Sequence, residues 1–71
     1  MIIKWRINVA SSPDREYLVA EIFFGDTQWA EINQESQVLE VEFYPRPDGM
    51  PWRIPLRNAI AALGAAESEL N

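Results

Sequence analysis

The spacing of apolar residues changes once along this chain, and that change limits the folds it can adopt. Before residue 45, four stretches alternate apolar with polar side chains, which is typical of strands that bury one face. After Pro55 the apolar residues recur every three or four positions, as in an amphipathic helix: Leu56, Ala59, Ile60, Leu63, Ala66 and Leu70. The sequence therefore predicts an α+β fold, with a four- to five-stranded antiparallel meander sheet and one C-terminal helix packed on one face.

The four alternating stretches are residues 2–9, 17–24, 28–33 and 38–44. A chain of 71 residues supports one hydrophobic core, so residues 1–71 are expected to form a single domain. With 48% hydrophobic residues the chain is too apolar for intrinsic disorder. The inward positions of the strands and helix predict this core: Trp5, Ile7, Leu18, Ile22, Phe24, Ile32, Leu39, Val41, Phe43, Ile60 and Leu63.

Composition excludes several classes of function. The chain has no cysteine and no histidine, so disulfides, thiolate or imidazole metal sites and nucleophile-histidine catalysis are absent. A net charge of -5 disfavours nucleic acid and favours either a basic protein partner or simply solubility. No stretch approaches the roughly 20 apolar residues of a membrane span, and the N-terminus alternates instead of forming a signal peptide. We expect a cytoplasmic, non-enzymatic protein with no catalytic residues, metal or cofactor.

The turn between the second and third stretches decides which side chains face inward. A two-residue turn would place Glu31 on the same face as Ile22 and bury a glutamate. A three-residue loop, Gly25–Thr27, avoids this problem, and we predict it here. It pairs Ile22 with Ala30, and Ala20 with Ile32.

The stretch "YPRPDGMPW", residues 44–52, is rich in turn formers. Its order of Pro47, Asp48 and Gly49 suits a type I turn followed by a glycine. A short fifth strand after it would place Trp52 and Ile54 on the core face. The alternative interpretation is a stiff loop that presents Arg46 and Asp48 to a partner.

The sheet face away from the helix carries the predicted binding site. If Ile7 pairs with Ala20 and Ile32 with Leu39, outward residues align in two rows across the sheet. One row is Arg6, Glu21, Glu31 and Glu40; the other is Lys4, Phe23, Trp29 and Glu42, with Val38 and Tyr44 near its ends. Glutamates directly opposite one another repel, so the row favours a cation. The predicted partner-binding residues are Glu21, Phe23, Trp29, Glu31, Glu40, Glu42, Tyr44, Arg46 and Asp48.

Three other interpretations of this face remain open. It could be an ordinary solvated surface, although solvation does not explain the aromatic residues. Glu21, Glu31 and Glu40 could hold a divalent metal, but a flat row cannot wrap an ion as loops do. A carboxylate pair for acid-base chemistry would need a cleft that one small sheet does not provide.

The succession "AEI", "WAEI" and "LEVEFYPRPDGMPWRIPL", followed by an amphipathic helix, resembles a group of small bacterial proteins. Most of that group are uncharacterised, and some look like immunity proteins of contact-dependent inhibition and other polymorphic toxin systems. The resemblance spans about residues 18–70, and its specific part is "YPRPDGMPW". It implies a protein that binds and neutralises a cognate toxin, often a basic nuclease, and it supplies no catalytic residues.

Two hypotheses of function follow. The first is an inhibitor whose acidic and aromatic sheet face docks on a basic partner. The second is a homodimer formed through Phe23, Trp29 and Tyr44. Charge distinguishes them, because a two-fold dimer would bring the glutamate rows together unless Lys4 and Arg6 of the second copy interleave.

Overall fold

A computed structural model describes residues 4–11, 13 and 16–70. Its elements are β1 (Trp5–Ala10), β2 (Val19–Phe24), β3 (Thr27–Asn33), β4 (Glu40–Phe43) and α1 (Leu56–Leu70). The sheet is an antiparallel meander in the order β1-β2-β3-β4, so β1 and β4 are its edges. The predicted α+β fold is confirmed. The start of the first predicted strand, before Lys4, lies outside the described residues.

Two strand registers differ from the prediction by two residues. Ile7 pairs with Ile22 and not with Ala20, and Ile32 pairs with Val41 and not with Leu39. A shift of two preserves the face of every side chain but changes its cross-strand neighbours. The β3–β4 shift arises because the connection is longer than predicted. Residues 35–38 form a bend in which the Ser36 hydroxyl donates to the Val38 carbonyl at 3.0 Å.

The predicted three-residue loop between β2 and β3 is wrong. Phe24 pairs with Thr27 across a two-residue turn. Gly25 in that turn has a φ of 61°, and a type II′ turn requires a positive φ at its first position. The predicted Ile22–Ala30 and Ala20–Ile32 pairs are nevertheless confirmed.

A β-bulge reconciles the short turn with those pairs. Phe23 pairs with Gln28 and Ile22 with Ala30, so Trp29 is an extra residue on β3 without an opposite partner. The extra residue shifts the alternation by one, and Ala30 therefore faces the helix despite the two-residue turn. Glu31 thereby stays on the face away from the helix.

The core lies between the sheet and α1. Its buried residues are Ala20, Ile22, Phe24, Trp29, Ala30, Ile32, Ala62 and Ala66. Partly buried side chains pack against them: Trp5, Ile7, Trp52, Ile54, Ala59, Leu63 and Leu70. The predicted core positions in β1 and β2, and those of Ile32 and Leu63, are confirmed. Trp52 and Ile54 also pack on the core as predicted, but from an irregular segment and not from a fifth strand.

The helix is rotated relative to its predicted stripe. Pro55 precedes its first turn, and the Pro55 carbonyl accepts from the amides of Asn58 and Ala59. Its buried residues are Ala62 and Ala66, whereas Ile60 is 51% exposed. The prediction that Ile60 belongs to the core is wrong, because the small alanine side chains, and not the larger isoleucine, allow α1 to approach the sheet closely.

Four other predicted core residues are also exposed. Among the described residues, α1 contacts β1, β2 and β3 but not β4. Leu39, Val41 and Phe43 face the helix side of the sheet, but at a strand that the helix does not reach. Leu18 is exposed because it precedes β2, in the connection where its carbonyl accepts from the Gln34 amide.

Candidate functional site

The face away from the helix, called the outer face here, carries an acidic row. The observed cross-strand row is Asn8, Glu21, Glu31 and Glu42. The prediction that Arg6 and Glu40 belong to it is wrong, because both registers move by two residues.

This row receives hydrogen bonds from the protein itself. The Asn8 amide donates to Glu21 at 2.9 Å, and the Tyr44 hydroxyl donates to Glu31 at 3.1 Å. Glu31 is only 6% exposed, so the expectation that it projects into solvent is wrong. Neutral donors already stabilise two of the carboxylates, and the row does not require a bound cation to exist in the folded state.

The predicted aromatic residues beside the row separate onto two faces. Phe23 stays on the outer face, where the Arg6 guanidinium lies 4.1 Å from its ring centroid. Trp29 does not: it is 7% exposed and packs edge-on to Phe24, with ring centroids 5.1 Å apart. The placement of Trp29 on the outer face is wrong, because the β-bulge turns it to the helix side, where it also contacts Phe43.

At one end of the outer face, the β1–β2 connection and the β3–β4 connection contact each other. Val19 and Asn33 are 0% and 2% exposed there, which the sequence did not indicate. The Glu35 carboxylate accepts from the backbone amides of Glu16 and Tyr17 at 3.0 and 3.2 Å. These bonds tie the β1–β2 connection to the β3–β4 connection. This end of the sheet is therefore a structural junction.

The proline-rich loop forms the predicted turn. The Gly49 amide donates to the Arg46 carbonyl at 3.0 Å, and Gly49 has a φ of 76°. Asp48 accepts from the Met50 amide at 3.0 Å and pairs with Arg46 at 2.6 Å. The Met50 amide, followed by the charge of Arg46, lowers the pKa of Asp48 below its usual value.

The same loop is attached to the sheet by Trp52. Its indole N–H donates to the Tyr44 carbonyl at 2.8 Å, and the Arg46 guanidinium lies 5.8 Å from its ring centroid. Arg46 and Asp48, the two predicted partner contacts, thus interact with each other and with the loop. The stretch "YPRPDGMPW" is therefore a turn that its own side chains stabilise.

The open apolar surface of the molecule lies elsewhere, between α1 and β4. A groove of about 270 Å³ separates them, and we call it the edge groove. Its lining residues are Ile32, Leu39, Glu40, Val41, Leu63, Gly64 and Glu67. The apolar members form its floor, Glu67 of α1 lies along it, and Glu40 lines it from β4 although its side chain alternates toward the outer face. Of the predicted partner-binding residues, only Glu40 lines this groove.

The apolar residues on the floor of the groove adjoin the hydrophobic core and become more exposed toward β4. Ile32 is 6% exposed, whereas its cross-strand neighbour Val41 is 40% exposed. Next to Val41 on the same face, Leu39 and Phe43 are 39% and 56% exposed. A row of three large apolar side chains therefore lies beside the core without a covering element among the described residues. Contiguous exposure of this kind is typical of an interaction surface.

The charged groups near the groove are acidic. Glu40 and Glu67 line it, and Glu69 follows in the last turn of α1. That turn has no basic residue, so the partial negative charge of the helix C-terminus adds to the carboxylates. The groove thus combines an apolar floor with a surrounding that attracts cations.

Comparison with models of protein families, with curated proteins and with solved structures finds no match for this chain. Within the described residues, no three acidic side chains converge as metal ligands would, and no helix has the length and apolarity needed to cross a membrane.

Proposed function

We propose that this protein is a non-enzymatic binding module that acts in the cytoplasm and docks on a basic protein through its edge groove. One observation carries the proposal. No element of the described part of the chain covers the apolar inner face of β4, and glutamates of β4 and α1 lie beside it.

The apolar floor would supply most of the affinity. Val41, Leu39 and Phe43 can bury their exposed surface against apolar side chains of a partner, at about 25 cal/mol per Å² of apolar area removed from water. Such a side chain would fit into the groove and contact Leu63. Side chains that lose all contact with water on binding usually contribute most of the binding energy.

The carboxylates would select the partner. Glu40 and Glu67 favour lysine or arginine beside the apolar anchor and repel acidic proteins. The net charge of -5 extends this preference over the whole molecule and would accelerate encounter with a basic partner. An inhibitor of a nuclease needs this combination, because it competes with phosphate for a basic surface. Neutralisation of a toxin nuclease is therefore our specific candidate for the role.

A homodimer through the same surface is the second candidate, supported by the exposed apolar row on β4. Charge argues against it. Antiparallel pairing of β4 with its copy, centred on Val41, would place Glu40 opposite Glu42 of the second molecule twice. Like charges in directly opposed positions are destabilising.

The experiment is a pull-down from host lysate followed by binding measurements on the purified pair. Leu39→Asp places a charge in the groove, while Leu56→Asp makes the same change at an exposed leucine outside it. We expect a basic protein to be recovered, and Leu39→Asp to weaken its Kd at least tenfold, whereas Leu56→Asp leaves Kd unchanged. Equal effects of the two variants contradict the groove. Sedimentation as a dimer that Leu39→Asp dissociates would favour self-association.

A further inference from the structure

Among the residues that the structure describes, no strand pairs with the outer edge of β4. β4 is the last strand of the sheet. The Tyr44 amide donates to the Trp29 carbonyl at 2.8 Å, which extends the β3–β4 ladder by one position. Because hydrogen-bonded positions alternate in antiparallel pairs, Glu42 and Glu40 bond toward β3. The N–H and C=O groups of Val41 and Phe43 therefore point away from the sheet.

The usual protections of an edge strand are weak here. Proteins block edges with charged side chains, especially lysine, and with proline or bulges. The charges on β4 are Glu40 and Glu42, which would repel an anionic strand but not a cationic one. Pro45 ends this edge, but Glu40–Phe43 contains no proline, no lysine and no bulge. The opposite edge differs, since β1 carries Arg6 and follows Lys4. Of the two edges, β4 offers the better template for another strand.

The side chains around this edge define what such a strand would look like. Val41 and Phe43 face the groove side, whereas Glu40 and Glu42 alternate with them toward the outer face. A strand added beside β4 would present its own alternate side chains to the same two sides. Apolar residues would then enter the groove, and cationic residues would face the glutamates, where opposite charges in cross-strand positions are favourable.

We infer that the edge groove receives an extended segment of the basic partner, which adds to the sheet as a strand along β4 and alternates aliphatic residues with lysine or arginine. This inference rests on the proposed function and specifies the form of its ligand. β4 is four residues long, so a segment of about five to seven residues suffices. Backbone pairing supplies general affinity, and the alternating pattern supplies specificity.

The test uses a capped synthetic peptide, Ile-Lys-Val-Lys-Ile-Lys-Val, titrated into the full chain and followed by amide NMR. We expect the Val41 and Phe43 amides to shift, and their hydrogen exchange to slow at least tenfold, with the amides of β1 unchanged. A peptide of the same composition with its lysines in one block should bind at least tenfold more weakly. Replacement of all lysines by glutamate should abolish binding.

Backbone methylation distinguishes strand addition from other modes of binding. Two isomers of the peptide are prepared, one N-methylated at two of the aliphatic residues and one at two of the lysines, because alternate N–H groups of a strand face opposite edges. Strand addition predicts that one isomer loses at least tenfold in affinity and the other binds like the parent.

Equal loss or equal retention by the two isomers overturns strand addition, and so does a failure of the parent peptide to bind. The proposed function fails separately, when binding of the recovered basic protein is insensitive to Leu39→Asp.

Discussion

The orientation of α1 can be tested with two isoleucines that differ in burial. Ile22 is 0% exposed and Ile60 is 51% exposed. Removing a buried isoleucine side chain to alanine costs about 2 to 5 kcal/mol, and more when the surroundings cannot collapse into the cavity. Ile22 shares its cluster with Ala20, Ala30 and Ala62, whose short side chains cannot fill a hole, as well as with larger residues. We expect Ile22→Ala to cost about 3 to 4 kcal/mol.

The matched change at Ile60 should cost far less. Ile60→Ala removes a half-exposed side chain, leaves no enclosed cavity and places the best helix former inside α1. We expect a loss below about 1 kcal/mol. A 71-residue domain has a free energy of unfolding of about 4 to 10 kcal/mol, so only the change at Ile22 threatens the fold.

The assay is urea denaturation followed by tryptophan fluorescence, with the m-value checked to be unchanged. On heating, each kcal/mol should lower Tm by about 4 to 8 °C for a domain of this size. The reasoning is refuted by equal losses in the two variants, or by a larger loss for Ile60→Ala. Either result would mean that α1 presents Ile60 to the sheet, as its apolar spacing alone predicts.

Two further predictions concern α1 and the proline-rich loop. Ala62→Leu should cost about 1 to 3 kcal/mol by overpacking a fully buried position, whereas Ala61→Leu, at an exposed position, should be nearly neutral in the same denaturation assay. In a carboxyl NMR titration the pKa of Asp48 should lie below 3.8, and Arg46→Ala should raise it only part-way, because the Met50 amide remains the larger cause. Its contribution to stability is present above the unfolded pKa and is lost as pH falls through the lower folded pKa, so a pKa at or above 3.8 in the wild type contradicts the observed turn.

Apart from Trp29 at the bulge, alternation in the sequence determined the faces of the strands correctly but could not determine coverage. Leu39, Val41 and Phe43 lie on the predicted face, yet all three are exposed. Four strands about 4.8 Å apart span roughly 14 Å between the outer strand axes, whereas a helix is about 10 Å across. One helix therefore cannot cover four strands. The widths of the helix and of the sheet follow from the predicted fold. The edge groove could therefore have been predicted from them.

The apolar spacing in α1 could not predict which face of the helix packs on the sheet, for a different reason. Apolar spacing ranks Ile60 above Ala62, because isoleucine is the more hydrophobic residue. The structure reverses that order, since Ala62 permits close contact between α1 and the sheet. Close approach depends on the combined volume of both surfaces, and Ala20 and Ala30 of the sheet are small as well. A pattern confined to one element does not contain this information.

The candidate site could also be predicted only in part, because the placement of some of its residues depends on contacts between elements. Glu40 is a predicted partner contact, and it lines the edge groove. Trp29 was assigned to the outer face by regular alternation, and the bulge placed it in the core. The burial of Glu31 depends on the Tyr44 hydroxyl, which is 13 residues away in sequence and becomes a neighbour only once the register is known.

The bulge sets the register of β3, and a deletion can test this. Without Gln28, Trp29 would take the place opposite Phe23 and turn to the outer face, while Ile22 would still pair with Ala30. The loss of Trp29 from the core should cost about 3 to 5 kcal/mol, as for a large-to-small change at a buried aromatic. Gln28→Ala keeps the bulge and should cost under about 0.5 kcal/mol. In protein labelled with 5-fluorotryptophan, one of three fluorine resonances should become solvent-exposed, and the amide contact between Ile22 and Ala30 should persist. If instead that contact disappears while Trp29 stays buried, β3 has slipped by one residue, and the turn rather than the bulge controls which face Glu31 occupies.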